Sequence, residues 1–426
     1  MKTSMYIKFK LYLGLLILCS IVTLPYITHS QSAGELQDKI DSHNDKIKKL
    51  EEDIKAYEKQ IETVGTEAKT LQNAIKTLDI SKQKISTEIK KTQTGIEKTN
   101  LSIEQLGSEI GNIEQKIESN IEIIEKAIRN MNQNDDKTLL ESFLESKSLA
   151  EVLDEYESVS QFQQKIREQS KELAYYKEDL SGKKTVAEKE KKNLVTLKSD
   201  LDDQNQILDI NKKEKNQLLS ETKSKESAYK TLLASRQAEK EKFERELFEF
   251  ESQLKKVIDP NSFPTAGKGI LKYPLDNITV TQALGRTVDA KKLYVSGTHN
   301  GVDFRASRGT PVKASLDGIV EGLGNTDSQK GCYSYGKWVL IKHPNGLSTL
   351  YAHLDLIKVS SGQSVETGEL LGYSGQTGYA TGPHLHFTVY ASQGVEIQRY
   401  SSSKNCKNVD IPIADSQAYL DPMLYF

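Results

Sequence analysis

The chain has 426 residues with 58 Lys plus Arg against 60 Asp plus Glu, a formal charge of −2, and 28% charged against 36% hydrophobic residues. So lean an apolar content excludes a single large globule, and near-neutrality excludes the basic field that draws nucleic acid or anionic lipid. Of nine prolines none lies between residues 26 and 259, whereas 19 of 26 glycines follow residue 266, so the chain joins two different materials.

Lys2, Lys8 and Lys10 precede an apolar run from Leu11 to Leu24, and Thr28 and Ser30 offer small residues at −3 and −1 of a cleavage site. This pattern predicts a secretion signal over residues 1–30, the run being short of the ~20 residues a membrane-spanning helix needs. Export then places Cys332 and Cys406 in an oxidising compartment, which predicts a disulfide between them.

Stepping alternately by four and three from Leu36 to Met131 visits 28 positions, 23 of them apolar. The spacing predicts one coiled-coil helix roughly 140 Å long, with His43 a polar seam residue and not a ligand. The pattern fails at Asn132 to Thr138, and scattered apolar groups predict short helices forming a tip near 132–160. A weaker seam follows: steps of seven from Leu173 to Val257 are apolar at ten of 13 positions, but steps from Tyr176 to Gln253 at only four of 12. Two arms of similar length predict an antiparallel hairpin over 31–257, with a parallel dimer as the alternative. Pro260, Pro264, Gly267 and Gly269 mark 258–272 as a flexible linker.

From Tyr273 to the last residue, 426, short apolar runs punctuated by Gly and Pro predict an all-β domain. Five of the seven histidines fall here: His299, His343, His353, His384 and His386. Histidines with an Asp in an exported β domain point to zinc. His299 and Asp303 are four apart, ~13 Å on an extended strand, so the chain must bend between them, at Gly301. His384 and His386 share one face of a strand, so one can bind metal while the other stands beside it. His343, before Pro344-Asn345-Gly346, is read as a turn residue outside the site.

These segments, HNGVDF, RGTPVKASLDGIV, KWVLIKHPNGLSTLYAHL, GQSVETGELLGYSGQTG and GPHLHF, resemble the LytM or lysostaphin-type zinc metallopeptidases over residues 296–390. The whole layout, signal then coiled coil then such a domain, is similar to EnvC-like cell-division proteins. The resemblance implies His299, Asp303 and His386 as zinc ligands, His353 and His384 as catalytic residues, and peptidoglycan peptides as substrate. It further implies an envelope location. Helical arms longer than solubility requires, joined by the linker, suggest a regulatory or targeting role for the helices, with a membrane-bound division or envelope complex as their partner. The alternative it carries is a non-catalytic EnvC-like activator of a separate wall hydrolase; such activators typically have a degenerate site, and here all five positions are filled.

Overall fold

The computed structural model describes residues 33–65, 70–134, 149–253, 258–286, 297–380, 382–400 and 406–426. The expected secretion signal and residues 135–148 of the expected tip lie outside them; from Leu149 the described part of the tip is the start of a long helix. Among the described residues four helices, α1 (Ala33–Gly65), α2 (Leu71–Asn134), α3 (Leu149–Thr222) and α4 (Glu226–Gln253), precede twelve strands. Among the described residues no helix is long and apolar enough to cross a membrane. The chain falls into two compact units, residues 1–42 with 100–188, and 43–99 with 189–426.

In the first unit α2 and α3 run antiparallel. Glu109 pairs with Lys183 at 2.6 Å and Glu114 with Lys184 at 2.9 Å, while Lys116 lies over the Tyr176 ring. In the second unit the same antiparallel sense holds, with Asp79 bonded to Lys215 at 2.5 Å and the Leu71 amide donating to Glu226 at 2.9 Å.

The single helix expected over 36–131 is two helices. α1 ends at Gly65 and folds back on α2, as the pairs Glu51 with Lys91 (2.8 Å), Glu58 with Lys84 (3.6 Å) and His43 with Glu97 (3.7 Å) show. Both helices keep an apolar seam, so the heptad phase runs through the reversal unmarked. The return arm is also broken. Lys223 and Ser224 take left-handed φ values of 49° and 59°, and Arg236 pairs with Glu221 at 3.2 Å. Fifteen residues of straight helix would hold those two ~22 Å apart, so α4 turns back beside α3.

The β domain is a ten-stranded antiparallel sheet in which β1 (Val280–Gln282), β2 (Val302–Arg305), β9 (His384–Ala391), β6 (Leu347–Ile357), β5 (Lys337–Lys342), β4 (Gly318–Asn325) and β7 (Ser364–Val365) follow in spatial order. β3 (Pro311–Lys313) pairs with β8 (Leu370–Ser374), which also pairs with β6, and β12 (Tyr419–Leu420) pairs with β9. β10 (Val395–Tyr400) and β11 (Val409–Ala414) form a separate hairpin. Val302, Phe304, Tyr351, Leu385 and Phe387 fill the core from β2, β6 and β9, so alternate residues on those strands face the opposite side together.

Residues 258–272, expected to swing freely, are laid along the β domain. Ile258 packs beside Tyr390 and Ala418, Phe263 joins the main core, and Leu271 donates its amide to the Tyr425 carbonyl at 2.9 Å. Prolines and glycines here shape a fitted path. Cys332 and Cys406 form a disulfide across 74 positions, tying the loop after β4 to the tail.

Candidate metal centre and its relatives

Register brings the site together. β2 pairs with β9 so that Asp303 lies opposite His386, and β9 pairs with β6 so that His386 lies opposite Ala352, the residue before His353. His299 precedes β2 and is pinned by reciprocal backbone bonds with Gly285 at 2.8 and 3.0 Å. Gly301 acts through space rather than through an unusual φ: a Cβ there would come within 2.7 Å of the His386 ring and 2.6 Å of Thr388 Oγ1. The bend between His299 and Asp303 therefore needs a residue without a side chain.

Three atoms converge. His299 Nε2 lies 3.1 Å from His386 Nδ1, His386 Nδ1 lies 2.9 Å from Asp303 Oδ1, and His299 Nε2 lies 3.3 Å from Asp303 Oδ1. Ligands ~2.1 Å from a tetrahedral ion stand ~3.4 Å apart, so this triangle is the right size, slightly contracted, for one zinc ion. The outward nitrogens are committed elsewhere: His299 Nδ1 faces the Ala283 carbonyl at 3.1 Å and His386 Nε2 faces Thr388 Oγ1 at 3.0 Å. Such outer partners fix the tautomer that turns a lone pair inward. Among the described residues this trio is the group of His, Cys, Asp and Glu whose atoms converge closely enough to hold a metal ion.

The second pair of imidazoles stands beside the trio. The His353 and His384 rings are 4.7 Å apart, and His384 Nε2 lies 3.7 Å from Asp303 Oδ1. His353 Nδ1 faces the Thr377 carbonyl and His384 Nδ1 the Gly382 carbonyl, both at 2.8 Å, so each presents Nε2 to the site. His353 has φ 61° inside β6, where the pairing with β5 slips. Its amide donates to the Tyr335 carbonyl and its carbonyl accepts from Gly375, and this bulge turns the ring towards β9. His343 is remote in function: it is buried, held by the Asp317 carbonyl and Thr349.

The Peptidase family M23 profile matches residues 297–399, which contain all five of these side chains. Residues 297–399 are thus similar to that family and make up an M23-like domain. Relatives include the DD-carboxypeptidase/endopeptidase Mpg of Neisseria meningitidis, 47% identical over 95 residues that make up 22% of this chain and 20% of that protein. The peptidoglycan DD-endopeptidase ShyA of Vibrio cholerae is 35% identical over 150 residues, 34% of this chain and 31% of that protein. The cell division protein DipM of Caulobacter vibrioides is 35% identical over 138 residues, 31% of this chain and 20% of that protein. The chain thus spans between a fifth and a third of the length of these relatives, and the likeness lies in the M23-like domain.

Electrostatics within the M23-like domain favour a charged carboxylate at Asp303 and neutral rings at His353 and His386. Burial pushes Asp303 up, but His384, His299 and His386 outweigh it and hold its pKa well below the usual carboxylate range. Burial, with the charges of His384 and His386, drives His353 well below the ordinary histidine value. Burial likewise lowers His386, against the pull of Asp303.

Tyr335 escaped the sequence reading. Its ring lies 5.8 Å from that of His386, its hydroxyl accepts from Asn300 at 3.0 Å, and its carbonyl holds His353. A lone Tyr in a loop carries no spacing signal that could have revealed this.

Proposed function

We propose that this is an exported, zinc-dependent endopeptidase that cleaves peptide bonds of peptidoglycan, held in check by its own helices. The observation that carries the chemistry is the convergence of His299 Nε2, Asp303 Oδ1 and His386 Nδ1 beside a second imidazole pair. On this reading residues 1–30 direct export, the helices over 31–257 control or target, and residues 273–426 are the peptidase.

His299, Asp303 and His386 would hold the ion, two neutral imidazoles and one carboxylate leaving a divalent site at net +1. Zinc bound there supplies Lewis acidity, polarising the scissile carbonyl and lowering the pKa of water from 15.7 towards ~7. The protein's own part is proton handling. His353, neutral at neutral pH and fixed by the Thr377 carbonyl, can accept a proton at Nε2. His384, fixed by the Gly382 carbonyl, offers the second inward Nε2. One of the pair takes the proton of the attacking water at Nε2 and passes it to the leaving amine; the other, whose Nδ1 hydrogen is committed to a backbone carbonyl, stabilises the developing oxyanion in its protonated form, donating from Nε2.

Control is supported by where α4 lies. Gln237 accepts a hydrogen bond from the Tyr379 hydroxyl, and Phe243 and Leu247 pack with Cys332, Cys406, Val409, Ile411 and Ile413. The loop and tail that carry the disulfide therefore form a seat for α4, next to a centre in which His299, Asp303, His353 and His386 are all buried. A peptidoglycan strand needs that space. On this reading a membrane-bound envelope or division complex acts on the helices to draw α4 away.

The test is zinc analysis of the purified chain with digestion of isolated peptidoglycan. One zinc per chain and new amine termini in the digest, lost on chelation, are expected. A folded chain that takes up no zinc would sink the reading.

A further inference from the structure

A segment of the chain itself, α4, lies against the loops that carry Tyr333 and Tyr379. α4 presents Arg236 and Lys240, four positions apart and so on one face, to two tyrosines on separate loops. Arg236 Cζ lies 5.7 Å from the centre of the Tyr333 ring, and Lys240 Nζ lies 4.4 Å from the centre of the Tyr379 ring. Both are within the ~6 Å over which a cation is attracted to an aromatic face.

The tyrosine positions are set by the β domain itself. The Tyr379 amide donates to the Ser334 carbonyl at 3.0 Å, Gly378 donates to the Asp327 carboxylate at 2.9 Å, and Lys337 donates to Thr377 Oγ1 at 3.0 Å. The two loops are thus laced together whatever α4 does. Tyr379 also shares its loop with Thr377, which orients His353, and with His384, so its ring is tied to the reacting groups.

Lys240 is only 4% exposed and pairs with Glu244 at 3.2 Å. Burial pushes its pKa down, while Glu244 and Glu241 of the same helix and, least, Asp303 pull it back up. Seating an ammonium away from water is costly unless negative charge and a π face surround it; here Glu244 of α4 supplies the charge and Tyr379 of the β domain the π face. An amine that took the place of Lys240 after α4 had left would meet the Tyr379 ring without the helix's own carboxylates.

We propose that Tyr379, with Tyr333 beside it, is a cation subsite of the peptidase cleft that selects peptides carrying a primary amine close to the scissile bond, and that Lys240 is its built-in occupant. This rests on the peptidase reading and names the substrate class. It also gives α4 the character of a substrate mimic.

The test uses the full chain with Lys240→Ala, which vacates the ring face whether or not α4 stays seated. Calorimetry compares n-butylammonium with 1-butanol, then a short peptide with a side-chain amine against its acetylated form. The cation of each pair should bind about 3- to 30-fold tighter than its neutral partner, the range a cation–π contact supplies. Tyr379→Leu in the same background should bring the ratio to about 1, and Tyr379→Phe, which keeps the ring face, should preserve it. Equal binding of charged and neutral partners, or a preference that survives Tyr379→Leu, overturns the subsite. None of these readouts needs turnover, so a chain that fails to digest peptidoglycan but shows the preference refutes the peptidase reading alone.

Discussion

The imidazoles of the M23-like domain divide by what removing them should do. His386→Ala deletes a corner of the ligand triangle, so zinc and digestion should vanish together. His353→Ala leaves the triangle intact, so zinc content should be unchanged while turnover falls about 10²- to 10⁴-fold, the usual worth of a positioned proton-transfer group. Zinc loss from His353→Ala would reassign it as a ligand. Thr388→Val tests the outer partner of His386 and should weaken zinc binding about 10- to 100-fold, read by competition with a chromophoric chelator. The five positions are named through the resemblance of HNGVDF, YAHL and GPHLHF to the zinc metallopeptidases, and the strands bring these side chains together, His299, Asp303 and His386 as one group and His353 and His384 as a pair. The left-handed backbone of His353 could not be read from the sequence, since it depends on a slip between β5 and β6 that only the paired strands define.

Among the elements, α4 is the one through which the proposed control would act. Phe243→Glu places a charge in the pocket around the Cys332–Cys406 bridge, at a cost of several kcal/mol for the docked state. Peptidoglycan digestion by this variant should exceed that of the wild-type chain at least ~10-fold; equal rates would leave targeting as the helices' role. The far end of α4 adds a pH dependence. Glu251 accepts from the Tyr419 hydroxyl at 2.7 Å and the Ala414 amide at 3.3 Å, yet burial raises its pKa to about 7. The folded state therefore holds this proton more tightly than the unfolded chain does. Its contribution is fully present below about pH 4.5 and is lost as the pH rises through about 7. Thermal stability should decline across that window, and Glu251→Gln should flatten the decline. The fate of α4 was not legible in the heptads: Phe243 continues the seam by count, but the chain reverses at Lys223 and Ser224, and the same side chain faces a β hairpin instead of a helix.

At the scale of the whole chain, the unit built from residues 43–99 and 189–426 joins helices and sheet in one packed body. Ile85, Ile89 and Ile207 of α2 and α3 pack with Tyr373, Leu356 and Leu370 of the β domain. Around them, Lys358 pairs with Asp203 at 2.6 Å, and buried Arg308 meets both Glu214 of α3 and Asp355 of β6. The helices and sheet of this unit should therefore melt in one transition, and Ile207→Ala should destabilise both by about 2–5 kcal/mol, detected as a joint shift by helical and aromatic circular dichroism. Separate shifts would mean that the contact is loose. A composition that changes sharply near residue 258 suggested two independent materials, but composition reports what each segment can form and not what it leans on.

The Cys332–Cys406 bridge gives this architecture a history as well as a shape. A chain that emerges from a secretion channel amino end first delivers α4 early, the five site residues later, and Cys406 last. The seat that receives Phe243 and Leu247 is therefore incomplete until every side chain needed for hydrolysis is already outside. On the proposed reading, in which the chain is exported and α4 inhibits, each new molecule would pass through an interval in which the cutting edge exists and its sheath does not. The oxidant that closes the bridge would set the length of that interval, so a cell short of disulfide-forming capacity would carry more unsheathed molecules from the same amount of protein.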